Sequence, residues 1–233
     1  MNYQMLGDAD AAVVEVALRA GEQVKIESGA MVYMQDVTLE SKTNSNSSGL
    51  GGLLKAAARA VVSNESMFIT FAKGNTDNAR IGIAPGAPGS IMKLEVGANQ
   101  YRLNDSAFFA CDAGVEYQMK RQELGKAVFA GTGGLFVMET AGSGDLLVNA
   151  FGSIIELQVT PDRPLVVDNS NVVAWDASLA YQMRMASKGI LSTLTSGEGI
   201  VNEFSGSGRV FVQSRSVESL ASKLIPYLPK SSN

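Results

Sequence analysis

The sequence predicts an all-β protein of three pseudo-symmetric β-sandwich or β-barrel-like repeats of about 64 residues, with a short inserted helix and a C-terminal helix. Three observations carry this. Apolar and polar residues alternate at strand period over many short runs. Glycine is frequent at 24 residues and proline sparse at 6, a balance that suits many tight turns. And one strand pattern returns three times along the chain.

The returning pattern begins with VKIESGAMVYM (24–34), YRLNDSAFFAC (101–111) and LVVDNSNVVAW (165–175). Each reads as a strand, a polar corner and a second apolar strand. Glu27-Ser28-Gly29-Ala30, Asn104-Asp105-Ser106-Ala107 and Asp168-Asn169-Ser170-Asn171 set the register. Further on, SMFITFAKGNTDNARIGIA (66–84), GLFVMETAGSGDLLVNA (134–150) and GIVNEFSGSGRVFVQ (199–213) each predict a β-hairpin, because a Gly-rich turn separates two alternating runs. Closing strands follow as SIMKLEV (90–96) and SIIELQV (153–159), with VVEVAL (13–18) in that role ahead of the first copy. The copies fall at about 13–90, 91–153 and 154–215 of a single domain.

Spacing locates an insertion. Ala107 to Asn171 and Tyr117 to Tyr181 are both 64 positions apart, whereas Ala30 to Ala107 is 77 and Met67 to Leu135 is 68. The first copy therefore carries about nine extra residues, where the composition turns to Ser, Asn and Gly, within a loop and helix spanning 41–64. Leu50, Leu53, Leu54, Ala57 and Val61 form one apolar stripe at helical period, with Lys55 and Arg59 off it. These seven residues make the helix 50–62 a candidate docking element for a membrane surface or a partner. The competing reading packs the stripe on the protein's own β core. A second helix is predicted over 216–228, with Val217, Leu220, Leu224 and Ile225 as its apolar stripe, ending at Pro226.

Composition excludes several chemistries. The chain has no histidine and one cysteine, Cys111. His-dependent triads, His-ligated metals and an intramolecular disulfide are therefore ruled out. In the repeat register Cys111 aligns with Met34 and Trp175, so it reads as a packing residue rather than a nucleophile. A net charge of −4 gives no basic footprint for nucleic acid. Gly131-Thr132-Gly133-Gly134 precedes a strand rather than a helix, so a turn is expected there and not a phosphate cradle.

Carboxylates are the remaining candidates. Asp105, Asp112, Asp168 and Asp176 recur in the last two copies, Asp112 and Asp176 at matching positions and Asp105 and Asp168 in the same polar corner, and Glu198 sits in a Gly-Glu-Gly run. Such groups could bind a cation or move a proton. Asp following a strand also caps its own turn, which needs no ligand. No catalytic residue, metal or cofactor is expected. Neither a leader peptide nor a membrane span is expected, which points to a soluble cytoplasmic protein able to touch a membrane surface.

Several strings, in order, resemble the AIM24-like family, a bacterial domain grouped with a yeast mitochondrial inner-membrane protein. They are Ser28-Gly29-Ala30-Met31-Val32-Tyr33-Met34, Gly51-Gly52-Leu53-Leu54-Lys55, Ala84-Pro85-Gly86-Ala87-Pro88-Gly89, Val166-Val167-Asp168, Ser196-Gly197-Glu198-Gly199 and Gln213-Ser214-Arg215. The resemblance runs from about position 24 to the C-terminus. It implies a triplicated β fold like that of the tryptophan RNA-binding attenuation protein, and no defined activity. The family's Gly-Glu-Gly in the second copy stands here as Thr132-Gly133-Gly134, so a threefold carboxylate site is not implied. The function expected from these readings is a non-enzymatic scaffold or binding protein, working through self-association or through a protein or membrane partner. The alternatives are a small-molecule module on the pseudo-threefold axis and, by fold analogy alone, RNA binding.

Overall fold

A computed structural model describes residues 1–8, 10–42, 69–104, 106–121, 136–186 and 199–229. The helix 50–62, with Leu50, Leu53, Leu54, Lys55, Ala57, Arg59 and Val61, lies outside the described residues, as do Asp105, Glu198 and Gly131-Thr132-Gly133-Gly134.

Nineteen strands are described, and the all-β class holds. β1 (Asn2–Leu6) precedes three blocks of six. The first block is β2 (Val13–Leu18), β3 (Gln23–Glu27), β4 (Met31–Gln35), β5 (Val37–Lys42), β6 (Ile69–Gly74) and β7 (Ala79–Ile83). The second is β8 (Ile91–Val96), β9 (Tyr101–Asn104), β10 (Phe108–Asp112), β11 (Val115–Arg121), β12 (Phe136–Gly142) and β13 (Gly144–Asn149). The third is β14 (Ile154–Val159), β15 (Leu165–Asp168), β16 (Val172–Asp176), β17 (Ala180–Met185), β18 (Ile200–Ser205) and β19 (Gly208–Gln213). A C-terminal helix, α1 (Val217–Leu224), follows and passes into a 3-10 turn over Ile225–Tyr227.

Strand order gives four sheets: β1-β2-β7-β4, β5-β6-β3-β10-β13-β8, β11-β12-β9-β16-β19-β14 and β15-β18-β17. Each six-stranded sheet is shared, with three strands from one block continuing into three from the next. The seams are antiparallel pairs, β3 on β10 and β9 on β16. A bulge recurs at the matching place in each block, between Met31 and Tyr33, between Phe108 and Ala110, and between Val172 and Ala174. Each bulge lies in a pairing within the block, β4 on β7, β10 on β13 and β16 on β19, and locally increases the twist there.

The three expected hairpins are corrected here. β6 and β7 lie in different sheets, as do β12 and β13, and β18 and β19. Gly142 and Gly144 take φ of 75° and 140°, which lets the chain turn a corner from one sheet to the facing one rather than fold back beside itself. The consecutive strands that do pair are β5 with β6, β11 with β12 and β17 with β18. A Gly-rich turn reads the same in sequence for a hairpin and for a corner, so the pattern alone could not separate them.

Three apolar cores follow from this layout. Val14, Val16, Leu18, Ile26, Ile81 and Ile83 form the first with Phe109 and Leu147 from the second block. Leu103, Phe108, Cys111, Met138 and Leu146 form the second with Val173 and Phe211 from the third. Trp175, Leu179, Phe204 and Val210 form the third with Val137 from the second. Because each core borrows from a neighbour, the shared sheets are also what bury the apolar faces.

α1 is set by its cap. The Ser216 hydroxyl accepts from the Ser219 amide at 3.1 Å, which satisfies one of the first-turn donors. None of its residues is buried, and Val217, Leu220, Leu224 and Ile225 stand exposed as one stripe. Among the described residues, no helix is long and apolar enough to cross a membrane.

Candidate functional site

Asp112 and Asp176 occupy matching positions at the ends of β10 and β16. Asp112 accepts from the Asp145 amide at 2.7 Å, and Asp176 from the Arg209 amide at 2.8 Å. Each carboxylate therefore ties down the start of the strand that follows the sheet-to-sheet corner. Asp176 also takes the Arg209 guanidinium, at 3.1 Å. In the second block that place holds Asp145, and the Met1 amine supplies the positive charge, 2.8 Å from Asp112 and 3.5 Å from Asp145. Burial works against that charge, but the hydrogen bond and charge of Asp112, reinforced by Asp145, raise the amine above its ordinary value. Asp168 accepts from the Ser170 amide at 2.8 Å and caps the 3-10 turn at 169–171. Asp112, Asp168 and Asp176 are thus occupied in holding turns, and no cluster able to hold a metal ion occurs among the described residues.

Cys111 is fully buried on β10, and burial pushes its thiol up to about 12. A thiol so rarely ionised is a poor nucleophile. A cleft of about 720 Å³ is lined by Met1, Asn2, Leu18, Arg19, Glu22 and Asp77 among others. All come from the N-terminal strand and the first block, so this cleft is not the axial pocket that a ligand shared by three copies would need.

The features that stand out are two strand edges. In the first seam, the Lys25 ammonium on β3 donates to the Ala113 and Val115 carbonyls just past β10. In the second, Arg102 on β9 donates to the Leu179 carbonyl at 3.1 Å and to Glu139 at 2.7 Å. Burial pulls the Glu139 carboxyl up, but hydrogen bonds from Lys120 and Arg102 outweigh it and hold it below the ordinary range. Opposite these cations on the partner strands stand Cys111 and Trp175, both buried.

The strands that match β3 and β9 in the third block, and β10 and β16 in the first, are β15 and β4. Both are outermost strands of their sheets. In place of Lys25 and Arg102, β15 carries Val166; in place of Cys111 and Trp175, β4 carries Met34. Met31, Val32 and Met34 are 41%, 54% and 46% exposed, and Val166 is 47% exposed. Other outermost strands differ, since β5, β11 and β17 are edges in every block. Among the described residues, only at β4 and β15 does an edge fall where the other blocks form a seam.

None of these four residues is picked out by sequence reasoning as a site. The available signal was the register itself, where a cation at Lys25 and at Arg102 gives way to Val166 in the third block.

Comparison with known proteins places this architecture among relatives. The family described as mitochondrial biogenesis AIM24 matches over residues 3–215. An uncharacterized protein of Streptococcus pyogenes serotype M6 is 46% identical over 222 residues, covering 95% of this chain and 88% of that protein. An X-ray crystal structure of a Streptococcus pyogenes protein, SPYM3_0169, superposes with a TM-score of 0.81 at 40% identity, covering 97% of this chain and 99% of that one.

Proposed function

This chain belongs to the mitochondrial biogenesis AIM24 family, and from that premise we propose that it is a non-enzymatic β scaffold that works by self-association. The three blocks are read as copies of one unit. The observation that carries the proposal is the pair of open, apolar edges at β4 and β15. Unpaired edge strands invite pairing with another chain, and proteins that stay monomeric blunt them with charge, proline or a covering element. Here the edge positions are Met31, Val32, Met34 and Val166. The capped and ion-paired aspartates support a scaffold rather than a carboxylate enzyme, since their oxygens already hold turns. The exposed stripe of α1 offers a further contact surface of the same apolar kind.

Light scattering on the size-fractionated protein tests this. The expected mass is a multiple of the 24.5 kDa chain, falling on dilution. A mass of one chain at every concentration would remove the proposal.

A further inference from the structure

Resting on self-association, we infer that β4 of one chain pairs antiparallel with β15 of a second copy, making between chains the seam that β3–β10 and β9–β16 make within one. The register is fixed by the internal seams. Ala110 stands opposite Ile26, Cys111 opposite Lys25 and Asp112 opposite Val24. Ala174 stands opposite Leu103, Trp175 opposite Arg102 and Asp176 opposite Tyr101. Carried to the open edges, the same register sets Tyr33 against Val167, Met34 against Val166 and Gln35 against Leu165.

Three observations make a second copy the occupant. First, β4 carries the same bulge as β10 and β16, in each case against a strand of its own block and just ahead of the residues that form the seam in β10 and β16. Second, the two ends are matched in chemistry as well as geometry. Where the internal seams set a cation beside a buried Cys or Trp, both open ends are apolar, so Met34 and Val166 cover each other without leaving a charge unpaired. Third, the seam is the continuation of sheets already formed, since β15-β18-β17 matches one three-strand half of a six-stranded sheet and β2-β7-β4, flanked by β1, matches the other half. The contact is head-to-tail, because the two surfaces differ. Such an interface propagates until the rotation per copy closes a ring, and otherwise extends as a filament.

Disulfide trapping tests the pairing. Met34→Cys and Val166→Cys are made in separate chains, each at an exposed position, and the two chains are co-expressed and oxidised. A covalent heterodimer in the co-expressed sample, absent when either chain is oxidised alone, is the expected result. The double variant in one chain is expected to give a ladder of multimers. Homodimers of either single variant, a fast-migrating internally bridged monomer, or no bridge at all would overturn the pairing. The mass of the unmodified protein separates two failures. If it exceeds one chain without any bridge, self-association stands and the edge assignment falls; if it equals one chain, both fall.

Discussion

Placing glutamate at both open edges, as Met34→Glu with Val166→Glu, is expected to reduce the assembly to single chains while leaving the β fold intact. Both side chains are about half exposed in the isolated chain, so neither change disturbs a core. In the paired state each gains the burial of its remaining half, worth about 1 kcal/mol per side chain by area. The double variant forfeits that and sets two carboxylates directly opposite each other, which is destabilising in an antiparallel pair. Together these weaken each interface by roughly 100-fold or more, given about 1.4 kcal/mol per tenfold. Light scattering reads the mass, and far-UV circular dichroism reads the retained strand content. Glutamate is the informative choice. A lysine at 166 would restore the residue type found at Lys25 and Arg102, whose cations strengthen the internal seams.

Trp175→Ala is expected to be the most destabilising single change among the described residues. Trp175 lies in β16 between β9 and β19, opposite Arg102 and Val210. Its ring meets Tyr181 edge-on at 5.0 Å and Phe204 at 5.4 Å. Truncation removes both contacts and opens a cavity at a seam, costing about 3–5 kcal/mol. Against a total stability of roughly 5–15 kcal/mol, that threatens the third block first. Urea unfolding followed by circular dichroism measures the loss, and Trp175→Phe should recover a good part of it. A change under about 1 kcal/mol would show that the third core does not depend on this ring.

Much of this architecture was legible before any coordinates. Alternation placed β2, β8 and β14 and both strands around each corner, because a half-buried strand must alternate. β1 was missed, since Asn2–Leu6 is short and mostly exposed and gains its place only by pairing with β2. Sheet membership was misread at the Gly-rich corners, because local φ preferences do not say which sheet the next strand joins. Of the candidate aspartates, Asp168 caps its own turn, whereas Asp112 and Asp176 each bind an amide 33 residues away, a long-range contact no local pattern encodes. The open edges were hidden for a different reason. Met31, Val32 and Met34 look like core residues in sequence, as their counterparts Phe108, Phe109 and Cys111 are. What makes them a surface is the end of the chain's own sheet, and that is a property of topology.

Amide hydrogen exchange on β4 and β15 tests the pairing between chains most directly. An edge strand leaves every second amide facing solvent, whereas a strand inside a sheet has both rows engaged. At concentrations where the protein is assembled, β4 and β15 are expected to be protected as strongly as β10 and β9. That protection should drop in the variant carrying Met34→Glu with Val166→Glu. Equal, rapid exchange of β4 and β15 in the unmodified protein and in the variant would contradict a seam between chains.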